Sequence, residues 1–212
     1  MITMGLPRLK TKKVLSVEEY LSFERDADVR HEYIDGEIFE MAGKSLSHSR
    51  ICMNLGAGAQ TKLKGSNCEA LSPNMKVRTS TASLFSYPDM TVVCGEPVMH
   101  DDKKDVLTNP KVIFEVLSPS TENYDRTTKF QRYRMGNDTL TDYILVSQGA
   151  PYVEHYCKQD DGNWTYYCFS QMSDVLTIGS IGIGIDLREI YDRVLFLKPG
   201  NEIDGIDREQ NS

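Results

Sequence analysis

Two acidic residues interrupt apolar segments of the chain. Asp89 follows Pro88 and opens the apolar run Met-Thr-Val-Val-Cys, and Glu115 lies inside the run Val-Ile-Phe-Glu-Val-Leu. A carboxylate in a buried strand is unfavourable unless a partner compensates its charge. A divalent cation, held by oxygen ligands from two neighbouring strands, is a partner that also supports chemistry. The two residues therefore predict a metal site.

Phosphodiester hydrolysis is a reaction that such a site would serve. A bound cation polarises the phosphoryl oxygen and lowers the pKa of an attacking water. Two carboxylates suffice to hold Mg²⁺, which keeps most of its own waters, and the backbone carbonyl of Val116 can supply a further oxygen. A lysine nearby would orient or deprotonate the water and stabilise the developing negative charge.

Helices and strands in alternation are expected to position these acids. A Ser-x-x-Glu capping pattern starts a helix at Ser16, and Asp35-Gly36 between two strand-like runs predicts a hairpin. The other predicted elements, in order, are a helix from Ser45 to Leu63, strands at Glu69–Arg78, after Asp89 and around Glu115, a helix from Thr121 to Met135, a strand at Asp142–Ser147, a hairpin at Tyr152–Lys158 and Asn163–Ser170, isoleucine-rich segments at Ile181–Ile185 and a short helix at Asp186–Arg193.

This order predicts an α/β or α+β domain with a mixed sheet. Its core reads helix, strand, strand, strand, helix, strand, with hairpins added before and after. The predicted domain covers residues 16–197, between a basic arm at 1–15 and a polar tail at 198–212.

Composition limits the classes of protein that the chain can belong to. A net charge of −7 and a pI near 5.2 exclude a protein that coats nucleic acid non-specifically, although a nuclease remains compatible with them. We expect a cytoplasmic protein without membrane segments, because no run approaches the ~18 apolar residues of a membrane helix and no signal-peptide core is visible. The five scattered cysteines are expected to be reduced core thiols, and zinc is not expected.

Several short motifs of the sequence resemble those of the PD-(D/E)XK nuclease superfamily and, more narrowly, those of the Uma-type restriction endonuclease family. The resemblance implies a restriction-endonuclease-like fold and hydrolysis of DNA with Mg²⁺ or Mn²⁺, contacts to the phosphate backbone, and a homodimer. It also implies that Asp89, Glu115 and Val116 hold the metal. The words that carry it are Tyr33-Ile34-Asp35-Gly36-Glu37-Ile38, Ser47-His48, Leu71-Ser72-Pro73-Asn74, Tyr87-Pro88-Asp89, Glu115-Val116-Leu117-Ser118-Pro119-Ser120-Thr121 and Asp125-Arg126 with Lys129 and Tyr133.

One departure from the superfamily pattern concerns its lysine. Position 117 carries a leucine, and the resemblance implies that Lys129 on the following helix takes the lysine's role. Asp125, Lys129 and Tyr133 are spaced by four and share a helical face. Arg126 is expected to meet phosphate together with Lys129. Lys76 is the rival lysine, and His48 is the next candidate for contact with metal or substrate.

Structural explanations stand beside these functional ones. Asp89 could satisfy a backbone amide at the start of its strand, and Glu115 could form a buried ion pair with Arg78 or Lys76. Asp125 and Lys129 could be a surface pair. Glu32 and Glu37 are expected to be solvated, unless one of them lines the site. The alternative to an active enzyme is a decayed nuclease fold used for binding or assembly; a sugar-phosphate or small-nucleotide hydrolase is a third reading.

Overall fold

The computed structural model describes residues 14–41, 43–81 and 83–196. The predicted polar tail and residues 1–13 of the predicted arm lie outside the described residues. Five α-helices are present in the described ranges: α1 (Val17–Asp26), α2 (Leu46–Leu63), α3 (Glu122–Tyr124), α4 (Phe130–Gly136) and α5 (Leu187–Ile190). A π-helical segment, Asp125–Lys129, joins α3 to α4, and Gly179–Ile181 forms a 3₁₀ turn. None of the helices in these ranges is long and apolar enough to cross a lipid bilayer.

Thirteen strands accompany the helices within the same described ranges. They are β1 (His31–Ile34), β2 (Glu37–Glu40), β3 (Cys68–Leu71), β4 (Lys76–Arg78), β5 (Leu84–Ser86), β6 (Met90–Cys94), β7 (Val106–Leu107), β8 (Val112–Leu117), β9 (Asp142–Ser147), β10 (Val153–Lys158), β11 (Trp164–Phe169), β12 (Val175–Ile178) and β13 (Ile183–Asp186).

The larger sheet has six strands in the order β11-β10-β9-β8-β6-β3. β8 and β9 pair in parallel, and the other neighbours pair antiparallel. β8 is buried along its whole length, as expected of a central strand covered on both faces. The predicted α/β class and the predicted helix-strand-strand-strand-helix-strand core are confirmed, with α2, β3, β6, β8, the α3–α4 helix and β9 as its members.

Helices cover both faces of this sheet. α2 starts at the capping residue Ser45 and packs Ile51, Leu55, Ala59 and Leu63 against one face, which also carries Phe114. Phe130 and Tyr133 of α4 pack against the other face, on which Ile113 and Leu117 lie. Because side chains alternate along a strand, Glu115 belongs to the face under α4.

A second sheet, in the order β2-β1-β5-β4-β7, packs with α1 beside the first. The predicted hairpin forms its edge: Asp35 and Gly36 take positive φ values of 48° and 91°, as a tight two-residue turn requires. Ser16 and Glu19 form the predicted capping box of α1. The motifs Asp-Gly and Ser-x-x-Glu were therefore sufficient to predict the hairpin and the start of α1.

The structure differs from the sequence expectations for the secondary structure and the cysteines at four points. The single strand at Glu69–Arg78 is two strands, β3 and β4, in different sheets, because Ser72-Pro73-Asn74 separates them. β5 and β7 were not predicted, and α5 is shorter than the predicted helix. Cys68 and Cys94 are not free thiols: they stand opposite each other on β3 and β6 and form a disulfide, which leaves Cys52, Cys157 and Cys168 free.

Candidate active site

A cleft of about 530 Å³ opens where β6 begins and β8 ends. The first hairpin, the start of α2 and the π-helical segment complete its walls. Most of the predicted site residues line this cleft, namely His48, Asp89, Glu115, Val116, Asp125 and Lys129.

Asp89 lies at the floor of the cleft, one residue before β6. Met90 pairs with Phe114, and continuing this antiparallel register by one residue sets Asp89 opposite Glu115. The Oδ2 atom of Asp89 accepts a hydrogen bond of 2.8 Å from the Val116 amide, so the expectation that Asp89 satisfies a backbone amide also describes the structure.

Two basic side chains face the Asp89 carboxylate. His48 Nε2 lies 3.2 Å from its Oδ2 atom, and Lys44 Nζ lies 3.5 Å from its Oδ1 atom. Burial alone would raise the pKa of Asp89, but His48, Lys44 and the Val116 amide outweigh burial and lower that pKa. Asp89 is therefore held in its ionised form.

Lys129 is buried among three acids. Its Nζ atom lies 2.9 Å from Glu115 Oε1, 2.9 Å from Glu32 Oε1 and 3.6 Å from Asp125 Oδ1, while the whole residue is 4% exposed. Burial alone would lower the pKa of Lys129, but these carboxylates raise it well above its ordinary value, so the group is an ammonium. Burial raises the pKa of Glu115 and of Asp125, since one ammonium does not neutralise three acids.

The donor set of the cleft fits a hard divalent cation. Asp89 and Glu115 offer carboxylate oxygens, and buried Glu115 Oε1 has no well-aligned hydrogen-bond donor among the described residues, although Lys129 Nζ is close. The Val116 amide points to Asp89, and the N–H and C=O groups of one strand residue face the same side, so the Val116 carbonyl faces Asp89 as well. Oxygen donors with an excess of negative charge are what Mg²⁺ and Mn²⁺ prefer.

Three predicted residues are not brought into the cleft. Arg126 points away and pairs with Glu122 at 2.7 Å and with Glu154 at 3.0 Å. Lys76 begins β4 in the second sheet and is buried there, with its Nζ atom 3.5 Å from Asp105 Oδ2. Tyr133 is fully buried behind Lys129.

Contacts outside the cleft hold Lys76, Tyr133 and Arg78 in place. The Nζ atom of Lys76 also faces the rings of Tyr20 and Tyr87, and the Tyr133 hydroxyl contacts the hydroxyl of Ser86. Glu115 pairs with neither Lys76 nor Arg78, because Arg78 contacts His100 and the Phe85 ring instead.

Glu32 is the site residue that sequence reasoning underestimated. It was expected to be solvated, with lining of the site as the alternative for it or Glu37; the structure has the alternative, since Glu32 is buried, lines the cleft and contacts Lys129. β1 is an inner strand, paired on both edges with β2 and β5, and the Glu32 side chain lies under Lys129 in the wall of the cleft. No local sequence signal indicates that β1 is a central strand. Glu37, which was also expected to be solvated, is exposed.

A mixed sheet with two acids at adjacent strand ends, and a lysine above them, defines a restriction-endonuclease-like protein. The family described as "Putative restriction endonuclease" (Uma2) matches residues 17–188. The chain belongs to this family.

The chain is also similar to two relatives and to one solved structure. The chain is 38% identical to the uncharacterized protein slr1290 of Synechocystis sp. over 184 residues, which are 86% of this chain and 94% of the relative. It is 35% identical to the uncharacterized protein sll1609 of the same organism, over 73% of this chain and 86% of the relative. The crystal structure of a "putative nuclease belonging to DUF820" from Anabaena variabilis superposes with a TM-score of 0.71 and 15% identity, over 85% of this chain and 99% of that one. At this identity the superposition shows a shared fold.

Proposed function

We propose that the protein is a metal-dependent endonuclease that hydrolyses phosphodiester bonds of DNA with Mg²⁺ or Mn²⁺. The observation that supports this proposal is the convergence of Asp89, Glu115 and Lys129 in one cleft, with the two acids opposite each other on neighbouring strands and the ammonium 2.9 Å from the second acid.

The cation would be held by Asp89, Glu115 and the Val116 carbonyl. When bound, it supplies a Lewis acid that polarises the phosphoryl oxygen and lowers the pKa of a coordinated water. It also compensates the negative charge that Lys129 alone leaves uncompensated in the cleft.

The side chains of the protein then position and stabilise the reacting groups. Lys129 carries three donors on its ammonium, and of its three acidic neighbours only Glu32 accepts a well-aligned hydrogen bond, so donors remain for the attacking water or a phosphate oxygen. Glu32 and Asp125 fix the position of this ammonium from two sides. His48 orients the Asp89 carboxylate.

DNA would approach the site across the rim of the cleft. Lys44 is 41% exposed at its side chain and is available to an incoming phosphate. We also propose a homodimer through the flanking hairpins, because two sites related by a two-fold axis suit cleavage of both strands of a duplex.

The test is nicking of supercoiled plasmid DNA with Mn²⁺ or Mg²⁺. We expect Asp89→Asn, Glu115→Gln and Lys129→Met each to lower the rate at least about 100-fold. Glu189→Gln removes an exposed acid on α5, outside the cleft, and is the matched control that keeps the wild-type rate within about twofold.

Two results would count against the proposal. Equal nicking by the wild type and the three site variants would mean that the cleft does not catalyse the reaction. DNA binding without nicking under any metal, by folded wild-type protein, would favour the alternative of a nuclease fold used as a binding module.

A further inference from the structure

A histidine and a cysteine lie side by side on α2, next to Asp89. His48 and Cys52 are four residues apart, so they share one face of the helix, and Cys52 Sγ lies 3.3 Å from His48 Nδ1. The other ring nitrogen, His48 Nε2, lies 3.2 Å from Asp89 Oδ2. The proposed hydrolysis has no use for the thiol.

The three side chains together offer a ligand set. One nitrogen, one sulfur and one oxygen ligand atom of His48, Cys52 and Asp89 lie within 4.8 Å of one another. His48 is 2% exposed, and its Nε2 atom has no well-aligned hydrogen-bond partner among the described residues. The Nε2 atom and the Asp89 oxygen face each other at 3.2 Å without an aligned hydrogen bond, so one ion can bind both atoms.

The chemistry of these ligands differs from that of the oxygen site. Imidazole and thiolate select Zn²⁺ or Co²⁺, whereas Mg²⁺ takes oxygen ligands. Three protein ligands with water in a fourth position make an ordinary open zinc site. His48 and Asp89 line the cleft, so both an ion and this water can reach them.

We propose that His48, Cys52 and Asp89 form a binding site for a zinc-class cation. Binding replaces the proton of the Cys52 thiol by the metal and releases that proton to solvent. The sequence has no Cys-x-x-Cys pair, but this site needs only one cysteine. Asp89 is shared with the proposed Mg²⁺ site, so the two kinds of ion compete for it; this competition rests on the proposed function, and the binding does not.

A second cluster with similar residues, Asp142, His155 and Cys157, is a weaker candidate. Both oxygens of Asp142 already accept hydrogen bonds: Oδ1 from His155 at 2.7 Å, and Oδ2 from the hydroxyls of Thr141 and Ser180. Asp142 is fully buried and the cluster does not line the cleft. These groups form a satisfied hydrogen-bond network between the sheet and the turn after β12.

The test uses Co²⁺ alone as the probe, since a cobalt–thiolate bond gives a near-ultraviolet charge-transfer band. We expect the wild type to develop this band at one equivalent of Co²⁺, and Zn²⁺ to abolish it. Cys52→Ser should lack the band and bind Co²⁺ at least about tenfold more weakly by calorimetry. Cys157→Ser is the matched control and should keep both the band and the affinity within about twofold.

Folding of the variant is checked without metal. Cys52 is only partly buried, so Cys52→Ser should unfold within a few degrees of the wild type and should not gain the thermal stabilisation that Zn²⁺ gives the wild type. A wild type without the band, a band that persists in Cys52→Ser, or a band lost in Cys157→Ser would each overturn the proposal.

A second variant separates this proposal from the nuclease. Glu115→Gln should abolish nicking yet keep the cobalt band, because Glu115 is not a ligand of this site. If the wild type does not nick at all, the band still reports on the site. If the wild type does nick, the Zn²⁺ concentration that halves its rate should rise at least about tenfold in Cys52→Ser; an unchanged concentration would refute the competition for Asp89.

Discussion

Replacing Lys129 by methionine tests whether the cleft depends on a buried ammonium. Methionine keeps the unbranched shape of the side chain but ends one atom earlier, so the substitution removes the ammonium with its charge and its hydrogen-bond donors. It leaves Glu32, Glu115 and Asp125 buried without their shared cation, since all three carboxylates lie within 3.6 Å of Lys129 Nζ in the wild type. Removing one partner of a buried ion pair typically destabilises a protein by about 3–5 kcal/mol. In a chain of this size, that corresponds to a loss of roughly 6–20 °C in Tm.

The effect should depend on pH in a defined direction. Burial already raises the pKa of Glu115 and Asp125, and without the opposing ammonium these pKa values rise further. An acid whose folded pKa is raised destabilises the folded state above its unfolded pKa, and this cost disappears when the pH falls and the acid is protonated in both states. The destabilisation by Lys129→Met should therefore be largest near pH 7–8 and should shrink as the pH approaches about 5.

Urea unfolding at both pH values, in metal-free buffer, measures this difference. Lys62→Met is the matched control, because Lys62 forms an exposed ion pair of 2.7 Å with Glu189 that should be worth at most about 1 kcal/mol. Adding Glu32→Gln to Lys129→Met should recover part of the lost stability, since it removes one uncompensated charge. If Lys129→Met costs no more than Lys62→Met, or costs the same at both pH values, the burial of an ammonium among three acids is refuted.

Three further predictions concern residues outside the cleft. Arg126→Ala should leave the nicking rate within about threefold of wild type, because the guanidinium is paired with glutamates away from the cleft; a loss of 100-fold would contradict this. Burial lowers the pKa of Lys76, so Lys76→Met should be neutral or stabilising by about 1 kcal/mol in urea unfolding at pH 7. The stability advantage of Lys76→Met over the wild type should shrink toward pH 10, because the wild-type lysine loses its proton at lower pH in the folded state than in the unfolded state. An advantage that grows with pH would contradict this prediction. Thiol titration of denatured, unreduced protein should find three reactive cysteines, and Cys68→Ser with Cys94→Ser should cost about 3–4 kcal/mol; five reactive thiols would exclude the disulfide.

Local signals in the sequence were enough for the elements that local interactions form. The helix cap at Ser16 and the turn at Asp35-Gly36 satisfy their own backbone groups within a few residues, so neighbouring residues decide them. The adjacency of Asp89 and Glu115 was also accessible, because two consecutive apolar strands usually pair.

Pairing between strands that are distant in the chain could not be predicted from the sequence. β4 leaves the larger sheet to pair with β5 and β7, and only Pro73 in the preceding segment indicates a break. The burial of Glu32 follows from its contact with Lys129, 97 residues further along the chain, which no local pattern encodes. The disulfide depends on the same kind of information, since Cys68 and Cys94 meet only in the register of β3 and β6.

The direction of Arg126 has a simpler explanation. Consecutive residues on a helix point about 100° apart, so a residue next to Asp125 cannot share the face that carries Asp125 and Lys129. The π-helical segment Asp125–Lys129 keeps both of these residues turned inward, and both are 4% exposed. Arg126 therefore points to β10, where its Nε atom donates a hydrogen bond to Glu154.

The position of Lys129 illustrates that the place of a charge in the folded structure matters more than its position in the sequence. Leu117 shares the strand face of Glu115, but it lies in the apolar cluster under α4 with Phe130 and Tyr143. An ammonium there would be desolvated among apolar groups without partners. Lys129 reaches the same acid from the helix above the sheet, at a point where carboxylates from β1 and from its own helix can hold it. The apolar packing of Leu117 and the burial of Glu32 are thus two parts of one arrangement, and a lysine moved back to position 117 would lack the partners that keep Lys129 charged.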